Sequence, residues 1–270
     1  MKILILGSKG MLGQMAVRYF LHKNYHVETF DEKFEIGKEK IFKAKIASFY
    51  DFVIINCIGK IPQKTVNKNE LFYSNTVIPL SIRTAMQENQ LLIHPSTDCV
   101  YNGNTNQPYL YTDTPNSIDD YGFSKYLGDK LLFTCGGNTQ IIRVSIIGED
   151  NSGTNKGLLA WFLSNPNGST LRGFTNHYWN GIATLQWCKI VEKLIQKPDD
   201  SQTRIVQAGT NEIYSKYEML QLFNKIYNKE CFIEKFETLE SINRTLQPQI
   251  VAPPLETQLI EMKAFWETTK

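Results

Sequence analysis

Residues 1–13, MKILILGSKGMLG, decide the fold. The apolar run over residues 2–7 ends on Gly7, a pattern that suits a strand buried on both faces of a parallel sheet. A helical pattern follows from Met11 to Lys23, with Met11, Leu12, Met15, Ala16, Tyr19 and Phe20 on one face. Between strand and helix stand Gly7, Gly10 and Gly13, spaced G-x-x-G-x-x-G. A chain that turns tightly, admits a pyrophosphate to its backbone and packs helix on strand needs glycine at such points. The helix N-terminus then offers unpaired N–H groups and a positive dipole end to phosphate. The turn, including Lys9, Met11 and Leu12, is therefore the expected dinucleotide cradle.

Working outward, His26–Asp31 reads as a second strand. Residues 32–51 are polar and lysine-rich and carry no assignable helix and strand. Asp51–Cys57 reads as a buried strand, Asn67–Gln90 as a long helix disturbed at Pro79, and Leu91–Thr97 as a strand. Residues 98–118 read as a loop, Asp119–Cys135 as a helix and Thr139–Ile147 as a strand. This alternation predicts an α/β, Rossmann-type doubly wound parallel sheet over residues 1–147. Residues 148–270 are expected to form a smaller substrate-binding part. Within it, the amphipathic helix 183–197 and the strand 204–209 return to the first domain. Helix, strand and helix follow at 215–228, 231–236 and 255–267.

Asp31 closes the second strand, where an acid can bind the adenosine ribose and favour NAD. Lys9 and Lys33 offer the opposite signal, a cation for the extra phosphate of NADP. NADPH is the expected cofactor, on Lys9, with NADH as the alternative.

Bulk composition excludes several classes. The 270 residues are 42% hydrophobic and 21% charged, with 29 basic and 27 acidic side chains and a net charge of +2. No basic block points to nucleic acid or an anionic membrane. No apolar run approaches the ~20 residues of a membrane span, and the short N-terminal run lacks the features of a signal peptide. Five cysteines at wide spacings and four histidines form no metal-ligand pattern. Reduced, buried thiols suit a cytoplasmic protein.

The candidate chemistry lies at Tyr121-Gly-Phe-Ser-Lys125. Tyr121 and Lys125 stand at i and i+4 and share a helical face. A nearby ammonium favours a phenolate, so Lys125 is expected to lower the pKa of Tyr121 and bring it into range for proton transfer. Ser96-Thr97-Asp98 ends the preceding strand. Ligands in such sheets lie beyond the carboxyl ends of strands, so a hydroxyl there can reach the carbonyl that tyrosine protonates. Among cations, Arg143, Lys156, Arg172 and Arg244 are candidate phosphate partners, Arg244 foremost. Trp161, Phe162, Phe174 and Trp179 are candidates to stack on a base or a sugar. His177 reads as a satisfied, non-catalytic histidine.

The segments GSKGMLG (7–13), NCIG (56–59), HPSTDCVYNG (94–103), YGFSKYLGD (121–129) and IIRVSIIG (141–148) resemble the dTDP-4-dehydrorhamnose reductase family of extended short-chain dehydrogenases/reductases. GLLAWFLSN (157–165), GFTNHYWNG (173–181) and SKYEMLQLFNKIYN (215–228) extend the likeness over nearly the whole chain. The resemblance implies an NAD(P)H-dependent reductase of a nucleotide-linked 4-keto-6-deoxyhexose, with Thr97, Tyr121 and Lys125 catalytic. It implies that Cys57, Ile58 and Gly59 line the cofactor cleft and that Ser145 to Ile147 flank the nicotinamide. Asp98, Cys99, Trp179 and Arg244 are expected to meet the substrate. Cys99 stands where the rhamnose enzymes often carry tyrosine. The branch ending its motif S-T-D-C-V points to UDP-linked 2-acetamido-4-keto sugars. A nucleotide sugar is the expected partner, and a homodimer is compatible with the family. Two alternatives stand: an epimerase of the same superfamily, and a non-catalytic regulatory subunit.

Overall fold

Strands with every side chain out of water should be continuous apolar runs, and the core of this chain is built from such runs. A computed structural model describes residues 1–30, 32, 34–65, 67–150, 156–197 and 203–269. The first half comprises β1 (Lys2–Leu6), α1 (Met11–His22), β2 (His26–Phe30), α2 (Glu39–Ala47) and β3 (Val53–Asn56). There follow α3 (Lys68–Phe72), a π-helical turn (Tyr73–Val77), α4 (Ile78–Ala85), β4 (Leu92–Pro95), α5 (Asp120–Cys135) and β5 (Thr139–Arg143). The remainder carries β6 (Ile146–Ile147), α6 (Leu158–Ser164), β7 (Thr170–Phe174), β8 (His177–Trp179), β9 (Ile182–Ala183) and α7 (Thr184–Gln196). It ends with β10 (Arg204–Gly209), β11 (Tyr214–Ser215), α8 (Lys216–Ile226), β12 (Phe232–Phe236), β13 (Ile242–Asn243), β14 (Ile250–Val251) and α9 (Leu255–Thr268).

Seven strands form one parallel sheet in the order β14-β10-β5-β4-β3-β1-β2. Side chains alternate across it, as a period of two requires. Ile3, Ile5, Ile55, Ile93 and Ile142 enter one core with Met15, Phe20, Trp187 and Leu259 of α1, α7 and α9. Leu4, Leu6, Ile54, Leu92 and Ile141 enter the other with Phe42, Ile46, Ile82 and Leu132 of α2, α4 and α5. Helices thus cover both faces. β1 pairs with β2 on one side and β3 on the other, so the chain reverses direction across the sheet there. That switch opens a crevice at the carboxyl ends of the strands. The returning α7 and β10 join this body, and so do β14 and α9.

Several expectations need correction. Residues 32–51 hold α2, whose Phe42 and Ile46 reach the core while its other face keeps lysines in water. Among the described residues no strand lies there, so β2 is the edge of the sheet. The long helix ends at Ala85, not Gln90. Pro79 disturbs it as expected: the chain opens into a π turn just before, while Val77 and Ile78 keep helical dihedrals, and the widened turn accommodates the missing Pro79 N–H. The strand expected over 139–147 breaks after Arg143, and β6 leaves the main sheet to pair with β9. The loop 98–118 begins with a 3-10 turn over Asp98–Val100.

The helix α5 is pressed unusually close to its neighbours. A Cβ on Gly122 would lie 1.9 Å from the Cys99 carbonyl oxygen, and one on Gly128 would lie 2.2 Å from that of Asn75. That Asn75 oxygen stands four residues before Pro79, whose lost N–H leaves it without the usual helical donor. Asp129, fully buried, accepts from the Ser96 hydroxyl at 2.7 Å and from Arg143 Nε at 3.1 Å. Arg143 also donates to the Tyr101 hydroxyl at 3.0 Å. Burial pushes the Asp129 carboxyl above its usual range, while Arg143, Lys125 and Ser96 pull it back.

Breaking one side of a buried pair strands the other charge. Asp129→Ala is expected to cost about 3–5 kcal/mol, and the double change Asp129→Leu with Arg143→Met to recover much of that. Urea denaturation of the three proteins checks this; equal losses in the single and double variants would contradict it.

Candidate active site

Glycine chemistry shapes one end of the crevice. Gly7 adopts φ +73, and a Cβ there would fall 2.8 Å from the Cys57 carbonyl carbon. A Cβ on Gly13 would lie 2.1 Å from the Gly7 oxygen. These two residues let the turn close on β3 and α1 on β1. Gly10 differs: an added Cβ would meet only the Gly7 oxygen, at an ordinary 3.5 Å. Its open side faces a cleft, which Gly10, Met11 and Leu12 line. No side chain caps α1 at Gly10, and a helix N-terminus without such a cap can offer its first-turn N–H groups to an anion. Lys9 is exposed on this turn. Asp31 and Lys33 lie outside the described residues.

The cleft has a volume of about 540 Å3. Cys57, Ile58 and Gly59 form one wall and Ser145 and Ile146 the other, with Lys156 and Gly157 beyond. Asn75, in the π turn, fastens the first wall. Its side chain accepts from the Lys60 N–H and donates to the Lys60 carbonyl, both at 2.9 Å, and donates to Ser124 on α5 at 3.0 Å. Sequence patterning singled out neither Asn75 nor Lys60. The residue types carry no signal for them beyond the proline four places downstream.

Thr97, Tyr121 and Lys125 all line this cleft. Thr97 caps the 3-10 turn, accepting from the Cys99 N–H at 3.2 Å and donating to Asp98 at 3.1 Å. Asp119 caps α5 by accepting from Gly122 N–H at 2.7 Å, which sets the pitch of Tyr121. Lys125 Nζ donates to the Pro95 carbonyl at 2.7 Å and lies 3.4 Å from His94 Nε2.

Electrostatics here departs from the expectation. The pKa of Tyr121 is raised, not lowered: burial dominates, Cys99 adds to it, and a hydrogen bond with Thr97 opposes. Lys125 gives its hydrogen bond to the Pro95 carbonyl and not to the Tyr121 hydroxyl. Lys125 itself is pulled down to about 8 by burial, against the attraction of Asp129. The tyrosine therefore holds its proton while the lysine releases one readily.

Asp98, Cys99 and Arg244 line the far end. Arg244 donates to the Tyr101 carbonyl at 3.0 Å, lies 3.6 Å from Asp119 and touches Cys99 Sγ at 3.8 Å. Burial pushes the Cys99 thiol up to about 12. Trp179 does not face this space. It is 2% exposed and donates its indole N–H to the Ser145 hydroxyl at 2.8 Å, behind the wall. Of the four candidate phosphate partners, only Lys156 and Arg244 reach the cleft; Arg143 is buried on Asp129, and Arg172 lies over Phe236. Phe162 is in the core, and Phe174 stacks on His177, which pairs with Thr238 at 2.8 Å.

Residues 1–249 match the family described as RmlD substrate binding domain. The chain belongs to that family. This RmlD-family chain is 28% identical over 149 residues to dTDP-4-dehydrorhamnose reductase of Aggregatibacter actinomycetemcomitans, covering 53% of this chain and 51% of the relative. It is 27% identical over 156 residues to methionine adenosyltransferase 2 subunit beta of Danio rerio, covering 54% and 48%. These matched segments span about half the length of both relatives. Its fold superposes with a TM-score of 0.82 on dTDP-4-dehydrorhamnose reductase from Bacillus anthracis in complex with NADP, at 17% identity, over 97% of this chain and 98% of that one. Among the described residues, no helix is long and apolar enough to cross a membrane, and no group of three or more His, Cys, Asp or Glu is arranged to hold a metal.

If the RmlD-family turn is a dinucleotide cradle, a side chain at Gly10 fills it without disturbing the fold. Gly10→Val should keep the wild-type thermal midpoint and weaken dinucleotide binding by about tenfold or more, ~1.4 kcal/mol. Calorimetric titration reads this out; undiminished affinity would exclude the turn as the phosphate site.

Proposed function

We propose that this protein is a nicotinamide-dependent reductase of a nucleotide-linked 4-keto-6-deoxyhexose, acting in deoxysugar biosynthesis. One observation carries the reading: Thr97, Tyr121 and Lys125 line a single cleft whose other end is an open glycine turn at a helix N-terminus. The cradle at Gly10 has room for phosphate where a Cβ would stand, so the residues present fit a dinucleotide. Gly10, Met11, Leu12, Cys57, Ile58, Gly59, Ser145, Ile146 and Lys125 are the residues that would hold it. A nicotinamide held there would supply the hydride for the substrate carbonyl carbon.

The chain's own residues supply the rest. Thr97 holds the carbonyl oxygen. Tyr121, kept protonated by burial, is the acid that protonates the forming alkoxide. Lys125 binds the cofactor ribose and restores the tyrosine proton. Arg244 and Lys156 answer the diphosphate of the sugar nucleotide, Arg244 with a planar fork suited to its oxygens. Cys99 lines the cleft where a bulkier side chain would crowd the ring. The space suits a 2-acetamido group, so a UDP-linked 2-acetamido-4-keto sugar is favoured over dTDP-4-keto-rhamnose. NADPH is favoured over NADH on Lys9, and the Bacillus anthracis structure was solved with NADP.

A second reading has one observation behind it, the likeness to methionine adenosyltransferase 2 subunit beta. A regulatory subunit would bind the dinucleotide and oxidise none of it.

The deciding experiment follows NADPH and NADH oxidation against a panel of UDP- and dTDP-linked 4-keto sugars. Stoichiometric oxidation supports the reductase; binding without turnover on every sugar supports the regulatory reading. A kcat/KM on dTDP-4-keto-rhamnose equal to or above that on the acetamido sugar would remove the acetamido assignment alone. Tyr121→Phe is expected to lower turnover by about 10²–10⁴ with cofactor affinity little changed. The pH profile has a defined sign. Reduction needs a charged Lys125 and a protonated Tyr121, so kcat/KM for NADPH falls as pH rises through about 8, the Lys125 value, while Tyr121 stays protonated. A flat profile from pH 7 to pH 9.5 would contradict the role given to Lys125.

A further inference from the structure

His94 is completely buried on β4, has no place in the chemistry derived above, and touches Lys125. Its surroundings fix which nitrogen carries its proton. The Ile58 N–H donates to Asn56 Oδ1 at 3.1 Å, so the Asn56 amide cannot turn around without setting two donors face to face. Asn56 Nδ2 therefore points at His94 Nδ1, 3.1 Å away, and that nitrogen must accept. Burial, and next the Lys125 charge, keep the imidazole neutral. A neutral ring with a lone pair on Nδ1 carries its hydrogen on Nε2. That hydrogen faces Lys125 Nζ at 3.4 Å.

We propose that His94 is a positioning residue for Lys125: its Nε2–H, oriented by Asn56, opposes the ammonium and can be accepted only by the uncharged amine. The idea rests on the reductase reading for its purpose, though not for its geometry. An ammonium at this point can use the Pro95 carbonyl but meets a second donor on its other side. An amine keeps the Pro95 contact and gains the imidazole hydrogen. The groups acting on Lys125 are few. Burial opposes the charge and Asp129 on α5 favours it, though Asp129 is shared with Arg143; Tyr121, one turn away, is neutral; His94 on β4 sets its ring nitrogen 3.4 Å from Nζ.

The consequence is a lysine that gives up its proton easily. When the Tyr121 O–H bond breaks and its proton goes to the alkoxide, a phenolate is left. The Lys125 N–H bond then breaks, the phenol O–H bond re-forms, and the amine takes a proton from water. Asn56, His94 and Ile58 thereby couple the backbone of the cofactor wall to the proton donor.

The test uses the full chain without substrate, labelled with [13Cε]lysine and, separately, with [15N]histidine. The Lys125 resonance is assigned by its loss in Lys125→Met. In the wild type it should titrate near about 8. In His94→Phe the midpoint should rise by about one pH unit or more, a tenfold gain in proton affinity. His94→Gln, whose amide offers both an acceptor and a donor, should return it toward the wild-type value. In the wild type, His94 should show the Nε2–H tautomer from pH 5.5 to 9 without charging, a measurement that needs no variant to fold. An unmoved Lys125 midpoint in folded His94→Phe, or a wild-type His94 carrying its hydrogen on Nδ1, would overturn the proposal. A shifted midpoint in a chain that reduces no keto sugar would support it while removing the reductase reading.

Discussion

The structure depends on how closely α5 can approach the two segments beneath it. A helix normally keeps its side chains between its backbone and its neighbours, at interaxial distances of about 8–10 Å. At Gly122 and Gly128 nothing stands between, and the α5 backbone rests on the carbonyls of Cys99 and Asn75. Tyr121, Lys125 and Asp129 project from successive turns of the same helix, so their positions follow from those two contacts. The first sets the phenol beside Thr97. The second brings Lys125 to Pro95 and Asp129 to the Ser96 hydroxyl. The buried Asp129–Arg143 pair then locks the arrangement, because Asp129 is the carboxylate that Arg143 meets in a site almost wholly out of water.

Burial does more than pack this region. In water a tyrosine and a lysine have pKa values near ~10 and ~10.4, too close for one to act on the other with any preference. Removing both from water drives them in opposite directions, since desolvation penalises the phenolate in one case and the ammonium in the other. Burial along the cleft wall thus sorts two similar groups into a keeper of protons and a giver of protons. The same effect holds Cys99 as a thiol and His94 as a neutral ring.

Much of this was legible in the sequence because it follows from local pattern. The unbroken apolar runs at β1, β3 and β4 announce a parallel sheet, and the glycine spacing at residues 7–13 announces the turn. The pair Tyr121 and Lys125 is legible because a helix puts i and i+4 on one face. Other features were hidden because they depend on distant partners. Trp179 looks like a stacking residue until its indole is found holding Ser145 from behind. Arg143 looks like a phosphate ligand, but its partner Asp129 lies on another element. His94 and Asn56 come from two strands, and no spacing in the chain connects them. The lysine-rich residues 39–47 conceal a helix because only Phe42 and Ile46 need burial, too few for a clear period. The direction of the Tyr121 shift was also beyond the sequence, which shows that a lysine is near but not that its proton is turned elsewhere.

The π turn at Tyr73–Val77 has a consequence for how the chain can vary. It holds one residue more than a regular helix would need over the same rise. A single deletion anywhere within it would restore an ordinary α-helix and look harmless. Ile78 and Ile82 would keep their place on the core, because the turn already takes up the extra residue. The loss would fall inside the turn, on the bonds that Asn75 makes to the Lys60 backbone. The fold would survive such a deletion while one wall of the cleft lost its fastening. The count of residues at 73–77 therefore serves the cleft and not the core.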